Sequence, residues 1–317
     1  MKVLVTYALP QEGFADYTSD FEFIFPEGKP SFSPEEVMDR IGDVDALLSM
    51  FNLPVGKEII DAGKRLKIIS NFGVGFNNID IAYAKSKGVR VTNTPDPVVE
   101  PTAELAFALM GDLARRVCEC DRKLRQPNAI RWGVMENIGV GLYKKRLGII
   151  GMGRIGQAIA RRALASQMEV VYHNRHQLPA EKEQELNATY LPLDRLLSES
   201  DYISLNTPLD ESTYHLIGKE ALNAMKKGCM VINTARGPII DEAELVDALK
   251  TGKIGGAALD VFEFEPRISE ALLTMDNVVV VPHIGTATLS ARNEMSRYAC
   301  ENIRRFFRGE TPLSVVV

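Results

Sequence analysis

Cysteine, tryptophan and histidine are scarce in this chain of 317 residues, which holds four, one and four of them respectively. Cys118, Cys120, Cys229 and Cys300 are scattered, and only the first two are close. Within a helical pattern a C-x-C pair points its side chains to different faces, so neither a disulfide framework nor a zinc site is expected. Long hydrophobic runs are missing too: no stretch approaches the roughly 20 apolar residues of a membrane helix. The N-terminal run Lys2–Ala8 is too brief for a signal-peptide core and is followed by Pro10 and Glu12, so it reads as a first strand. Cationic excess is absent, the formal net charge being −5, and nothing draws the chain to nucleic acid or an anionic membrane. These absences predict a cytoplasmic, reducing setting with no metal.

What is present is the balance of an ordinary globular protein. Hydrophobic residues make up 45% and charged residues 25%, enough for two domains to bury separate cores. Short β-branched runs alternate with helical patterns, which predicts parallel α/β architecture. Candidate strands are Val3–Tyr7, Ala46–Ser49, Leu66–Asn71 and Val89–Thr92, then Arg146–Ile150, Glu169–His173, Tyr202–Leu205, Met230–Asn233, Gly256–Leu259 and Val278–Val281. Pro95 and Pro97 mark a connection, after which one long apolar helix, about Thr102 to Leu124, leads to the second strand series. A last helix, about Leu289 to Phe307, closes the chain. Two hinge points favour a discontinuous division, with residues 1–98 and 287–317 forming one domain and residues 99–286 forming the other.

The segment Gly151-Met152-Gly153-Arg154-Ile155-Gly156 follows a strand and opens a helix, the context a dinucleotide fingerprint requires. Gly151 suits the tight turn, Gly153 a close approach of backbone to pyrophosphate, and Gly156 the packing of helix on strand. Free amides at the helix start, beginning with Arg154 and Ile155, suit an anionic phosphate. The next strand ends in Asn174-Arg175-His176 rather than in the acidic residue that accepts from a ribose 2′-hydroxyl in NAD sites. Asn174 with the guanidinium of Arg175 suits a 2′-phosphate, so NADP is favoured and NAD remains possible. The competing account makes Arg175 a solvated surface charge.

Three later segments place polar residues after strands, where ligands lie in an open parallel sheet. They are Asn233-Thr234-Ala235-Arg236-Gly237, the run from Asp260 to Pro266 that carries Glu263 and Glu265, and Pro282-His283-Ile284-Gly285. With Gly73-Val74-Gly75-Phe76-Asn77-Asn78-Ile79-Asp80, Thr102-Ala103-Glu104 and the glycine fingerprint, they run in the order found in the D-isomer-specific 2-hydroxyacid dehydrogenase family. The chain resembles that family over nearly its whole length, and glyoxylate and hydroxypyruvate reductases most.

The resemblance implies two Rossmann-like or flavodoxin-like domains with parallel sheets, the NAD(P)-binding domain inserted in the substrate domain. It implies that His283 is the acid/base, Glu265 its partner and Arg236 the grip on the substrate. Chemistry supports each role: reduction of a 2-oxo acid needs a proton donor beside the carbonyl oxygen, a carboxylate to orient the imidazole, and a guanidinium to bind and polarise the acid. His173, His176 and His215 are read as structural. By the same resemblance Val74, Gly75 and Phe76 hold the substrate acid group on backbone amides. Asp260 receives the nicotinamide carboxamide, and Thr102, Thr207, Thr234 and Ala235 line the cofactor. Asn77 departs from the Asp common in relatives, with little consequence where backbone makes the contacts. Met50 and Phe51 are candidates for the substrate side-chain wall, and equally for the core or an interface. A homodimer is expected, with Leu105–Gly141 and Trp132 as its interface.

Two rival functions remain. A nucleotide-sensing regulator on the same fold is expected to carry an added interaction segment. A formate- or phosphite-type dehydrogenase shares the scaffold and differs in pocket size.

Overall fold

A computed structural model describes residues 1–50 and 53–317, so Phe51 lies outside the described residues. The chain divides into two compact units, Met1–Pro101 with Thr286–Val317, and Thr102–Gly285. Both are parallel α/β structures.

In the first unit the strands are β1 (Lys2–Val5), β2 (Glu22–Ile24), β3 (Ala46–Ser49), β4 (Ile68–Asn71) and β5 (Arg90–Thr92). They form one parallel sheet in the order β2-β1-β3-β4-β5, the flavodoxin-like winding. Successive side chains of a strand point to opposite faces. Accordingly Val3 and Val5 enter one core with Phe14, Ile68, Phe72 and Met295, while Leu4 enters another with Ile41, Leu47, Ile69 and Val91. Burial on both faces explains why these strands read as unbroken apolar runs. The last helix, Leu289–Phe307, belongs here because Ala299, Cys300 and Ile303 pack on that first face and Ser70 Oγ donates to the Ala299 carbonyl at 3.1 Å. Met50 packs in the core of the same cluster.

The second unit holds β6 (Arg146–Ile150), β7 (Glu169–His173), β8 (Ala188–Tyr190), β9 (Tyr202–Leu205), β10 (Cys229–Asn233), β11 (Ile254–Leu259) and β12 (Val278–Val280). Their order is β12-β11-β10-β9-β6-β7-β8, all parallel. The chain winds outward from β6 through β7 to β8, returns to β9 on the other side of β6, and winds outward again. The winding therefore reverses between β6 and β9, and in such sheets the crevice at the carboxyl ends of those strands is the ligand site.

Sequence pattern located ten of the strands within a few residues and missed β2 and β8. Each of these spans three residues and lies at a sheet edge, too short to establish a period. The single helix expected over Thr102–Leu124 is two, Val99–Arg115 and Val117–Leu124. Arg116 between them is left-handed (φ 58°). Its guanidinium clamps Glu119 through Nε at 2.7 Å and Nη2 at 2.6 Å, while Asp112 accepts from the Cys118 N–H at 2.7 Å. Side-chain bonds thus satisfy the break, which apolar periodicity does not register. Among the described residues, no helix is long and apolar enough to cross a membrane.

Candidate active site

The carboxyl ends of β6, β7 and β9 to β12 lie along one edge of the second sheet. At β6, Gly151 has φ +98°, and a Cβ there would stand 2.6 Å from the Asn206 carbonyl carbon and 2.8 Å from Thr207 N. Gly156 faces back onto this turn, where a Cβ would meet the Gly151 oxygen at 2.3 Å. Gly153 differs, since a Cβ there would meet nothing within 4 Å. Two glycines are thus needed by the fold itself, and the third leaves open space at the start of the helix Arg154–Ala165. No side chain caps that helix, so its first amides and the positive end of its dipole are directed at this space.

Around it lie polar atoms in want of partners. Asn206 Oδ1, Thr207 Oγ1 and Thr234 Oγ1 are buried without a hydrogen bond among the described residues. Buried orphans of this kind are costly and call for a ligand or water. With the open cradle at Gly153 they fit a dinucleotide spanning β6 to β10. Asn174 accepts from Met152 N–H at 2.7 Å through Oδ1, bracing the glycine turn from β7. Arg175 is exposed and pairs with Asp210 at 2.6 Å, a partner 35 residues away that sequence reading did not identify.

The catalytic candidates come from three adjacent strand ends. After β10, Asn233 shapes the turn, its Oδ1 accepting from Ala235 N–H at 3.0 Å and its Nδ2 donating to the Arg236 carbonyl at 3.0 Å. Arg236 donates to the Ala235 carbonyl at 2.7 Å and is drawn toward the charge of Glu265. Burial lowers its pKa from the ordinary arginine value, yet a guanidinium keeps its proton at any working pH. Gly237 then packs under the loop after β11 so closely that a Cβ would lie 1.9 Å from Phe262 backbone atoms.

In that loop Glu265 accepts from Phe262 N–H at 3.0 Å through Oε1, and its Oε2 lies 3.0 Å from His283 Nδ1. Burial raises the Glu265 pKa, but the His283 hydrogen bond and charge, the Phe262 amide and Arg236 outweigh it, so the carboxyl sits below its usual range. His283 itself is left-handed (φ 52°), an uncommon conformation for a residue bearing a Cβ. The turn is over-determined: His283 N–H donates to the Asp260 carbonyl at 2.9 Å, and the Asp260 carboxylate accepts from Ile284 N–H at 2.6 Å and Gly285 N–H at 2.9 Å. Strain held in this way is characteristic of functional sites. Burial pushes the Asp260 carboxyl up to about 6, against the opposing pull of those amides and of His283. Asp260 therefore pins the His283 turn, a task the sequence did not reveal. Thr102 is beside this turn, its Oγ1 3.4 Å from where a Gly285 Cβ would be.

Glu263 and Glu265, two residues apart, part company. Glu263 is partly buried, accepts from Glu242 N–H at 3.1 Å and meets His215 Nε2 at 2.8 Å. Glu242 answers through the Glu263 N–H at 3.1 Å and the Ser269 N–H at 3.2 Å. These carboxylates anchor the loop that carries Glu265 to the start of the helix Glu242–Lys250, and neither had been singled out for that role by sequence.

In the first unit the loop after β4 turns its carbonyls inward. Gly73 O accepts from Thr94 N–H at 3.0 Å, Val74 O from Asn93 at 2.8 Å and Gly75 O from Asn71 at 2.6 Å. The N–H groups of Val74 and Gly75 make no hydrogen bond among the described residues, as an anion-accepting nest requires.

Comparison with known proteins agrees with this reading of the nucleotide unit. Residues 107–285 match the family model described as D-isomer specific 2-hydroxyacid dehydrogenase, NAD binding domain. A glyoxylate reductase of Thermococcus onnurineus is 42% identical over 319 aligned residues, covering 99% of this chain and 95% of the relative. Among solved structures, a glyoxylate reductase from Paecilomyes thermophila superposes with a TM-score of 0.88 at 34% identity, covering 100% of this chain and 98% of that one. An NADPH-dependent glyoxylate/hydroxypyruvate reductase from Sinorhizobium meliloti, in complex with NADP and malonate, gives a TM-score of 0.88 at 32% identity, covering 100% and 96%.

Proposed function

The chain belongs to the D-isomer specific 2-hydroxyacid dehydrogenase family, and from that premise we propose that it reduces a small 2-oxo acid, glyoxylate or hydroxypyruvate in kind, to the D-2-hydroxy acid. The observation that carries this reading is the His283–Glu265 pair at 3.0 Å beside Arg236, on the same sheet edge as the glycine turn. A reduced nicotinamide dinucleotide bound there would supply the hydride for carbon 2. Gly151, Gly153 and Gly156, with the amides of Arg154 and Ile155, would hold its phosphates. Thr102, Thr207, Thr234, Ala235 and Asp260 line its remaining length, and the orphaned threonine hydroxyls support that assignment.

Arg236 binds the substrate carboxylate and carbonyl, stabilising the charge that develops on the oxygen. With Nδ1 engaged by Glu265, His283 delivers the proton from Nε2 to that oxygen, and the alcohol forms as the carbonyl double bond is lost. In the first unit the unbonded amides of Val74 and Gly75, with Phe76 next in the chain, suit a small acid group. NADPH is favoured and NADH also used: Asn174 presents no carboxylate against a 2′-phosphate and Arg175 offers it a cation.

The partner surface is the arm after the helix Val117–Leu124. Trp132, Val134 and Met135 are 87%, 97% and 79% exposed, and large apolar side chains exposed close together mark an interaction surface. We assign it to a homodimer. The four free cysteines suit a reducing cytoplasm. The deciding assay follows nicotinamide absorbance with glyoxylate, hydroxypyruvate and bulkier 2-oxo acids. Turnover that falls about 10²–10⁴-fold in His283→Ala, with unchanged circular dichroism, supports the reading. Dinucleotide binding without turnover on any of them refutes it in favour of a sensor.

A further inference from the structure

We propose that Asp210 limits the preference for NADP over NAD, by occupying the Arg175 guanidinium that the adenosine 2′-phosphate would need. The inference rests on the dinucleotide reading of the glycine turn and deepens it. Strands β7 and β9 flank β6, so the loops that follow them stand on either side of that turn. Arg175 comes from the first loop and Asp210 from the second, and Nη2 meets Oδ2 at 2.6 Å.

Asp210 is not a mobile counter-ion. Its Oδ1 accepts from the Ser212 N–H at 2.9 Å and the Ser212 hydroxyl at 2.6 Å, while its own N–H donates to Thr213 Oγ1 at 2.8 Å. Ser212 first, and then Arg175, hold its carboxyl down at about 2, so the anion persists at every working pH. A fixed negative charge therefore stands beside the Arg175 guanidinium at the end of β7. Asn174 is committed to the glycine turn through Met152 and brings no charge of its own.

An arriving 2′-phosphate must share the guanidinium with Asp210 or displace it. Displacement is feasible because the Arg175 and Asp210 side chains are 65% and 40% exposed, and such pairs are weak. NAD meets no such contest, since a ribose hydroxyl neither needs the guanidinium nor is repelled by the carboxylate. Arg175 thus tips the site toward NADP, and Asp210 keeps the margin small. Releasing the guanidinium from Asp210 leaves an uncompensated unit positive charge to face a phosphate bearing nearly two negative charges, which in water-like dielectric accounts for about a tenfold gain in affinity and vanishes when Arg175 is absent.

The test measures dissociation constants for NADP and NAD by isothermal titration calorimetry on the full chain, in wild type, Asp210→Asn, Arg175→Ala and the double variant. Asparagine retains a capping oxygen for Ser212, so the loop keeps its shape. Asp210→Ser, with a shorter capping oxygen, serves as the second variant. Asp210→Asn is expected to raise the NADP-over-NAD affinity ratio about tenfold at low salt, less at high salt, and Asp210→Ser to act in the same direction. In the Arg175→Ala background the same substitution is expected to change the ratio by less than threefold. A ratio unmoved within twofold by Asp210→Asn, or an equal gain without Arg175, overturns the proposal. If wild type binds neither dinucleotide, the reading of the glycine turn fails first and this inference falls with it.

Discussion

Replacing Gly237 by alanine tests whether close backbone packing positions the proposed catalytic groups. The added Cβ would lie 1.9 Å from Phe262 C and O and 2.5 Å from Glu263 N. Ordinary carbon contacts are about 3.5 Å, so the two segments must separate by roughly 1.5 Å, and rigid backbone rather than a flexible side-chain end has to give. One segment carries Arg236 and the other Glu265, which orients His283. A displacement of about 1 Å in such an arrangement costs on the order of 10²-fold in rate, and overpacking costs about 1–3 kcal/mol of stability. In a unit of this size that corresponds to a fall of about 3–10 °C in Tm. Steady-state kinetics with a 2-oxo acid, beside thermal unfolding followed by circular dichroism, measures both. The expected result is a folded protein with kcat reduced about 10²-fold. A kcat within threefold of wild type would refute the claim that this contact sets the geometry. Glu263→Gln provides a milder check on the same loop, since it keeps the shape and removes the charge that meets His215.

Two further outcomes follow from the same structure. Asp260 titrates near 6 in the folded protein against an ordinary value near 4; the native state therefore holds a proton that the unfolded chain releases, and stability contributed by this group falls as pH rises from about 4 to about 6. Subtracting the Tm–pH curve of Asp260→Asn from that of wild type is expected to show a decline confined to that window, and a flat difference would refute the assignment. Placing a charge in the exposed arm by Trp132→Glu is expected to reduce the molar mass measured by light scattering from dimer to monomer, and an unchanged mass would remove the arm from the interface.

Several features were legible in the sequence because local rules dictate them. The three glycines could be assigned from letters, since Gly151 needs a positive φ and Gly156 a close contact, requirements that only glycine meets. The doubly buried strands announced themselves as apolar runs, and the helix Leu289–Phe307 was correct to its ends because its apolar spacing is regular. Arg236, Glu265 and His283 were nominated by the family resemblance of their segments, and each segment follows a strand whose carboxyl end lies on the expected edge.

What sequence left open are the matters decided by contacts between residues far apart along the chain. Nothing in Phe262-Glu263-Phe264-Glu265 says which carboxylate turns to His283 and which to His215 and Glu242; the path of the loop over Gly237 decides it. The break at Arg116 depends on a clamp with Glu119, and the pairing of Arg175 with Asp210 joins loops that only the strand order brings together. Backbone preference and apolar period act over a few residues and so are written in the sequence. The partner of a charged side chain is fixed by where the folded sheet delivers it, and that belongs to the tertiary structure alone.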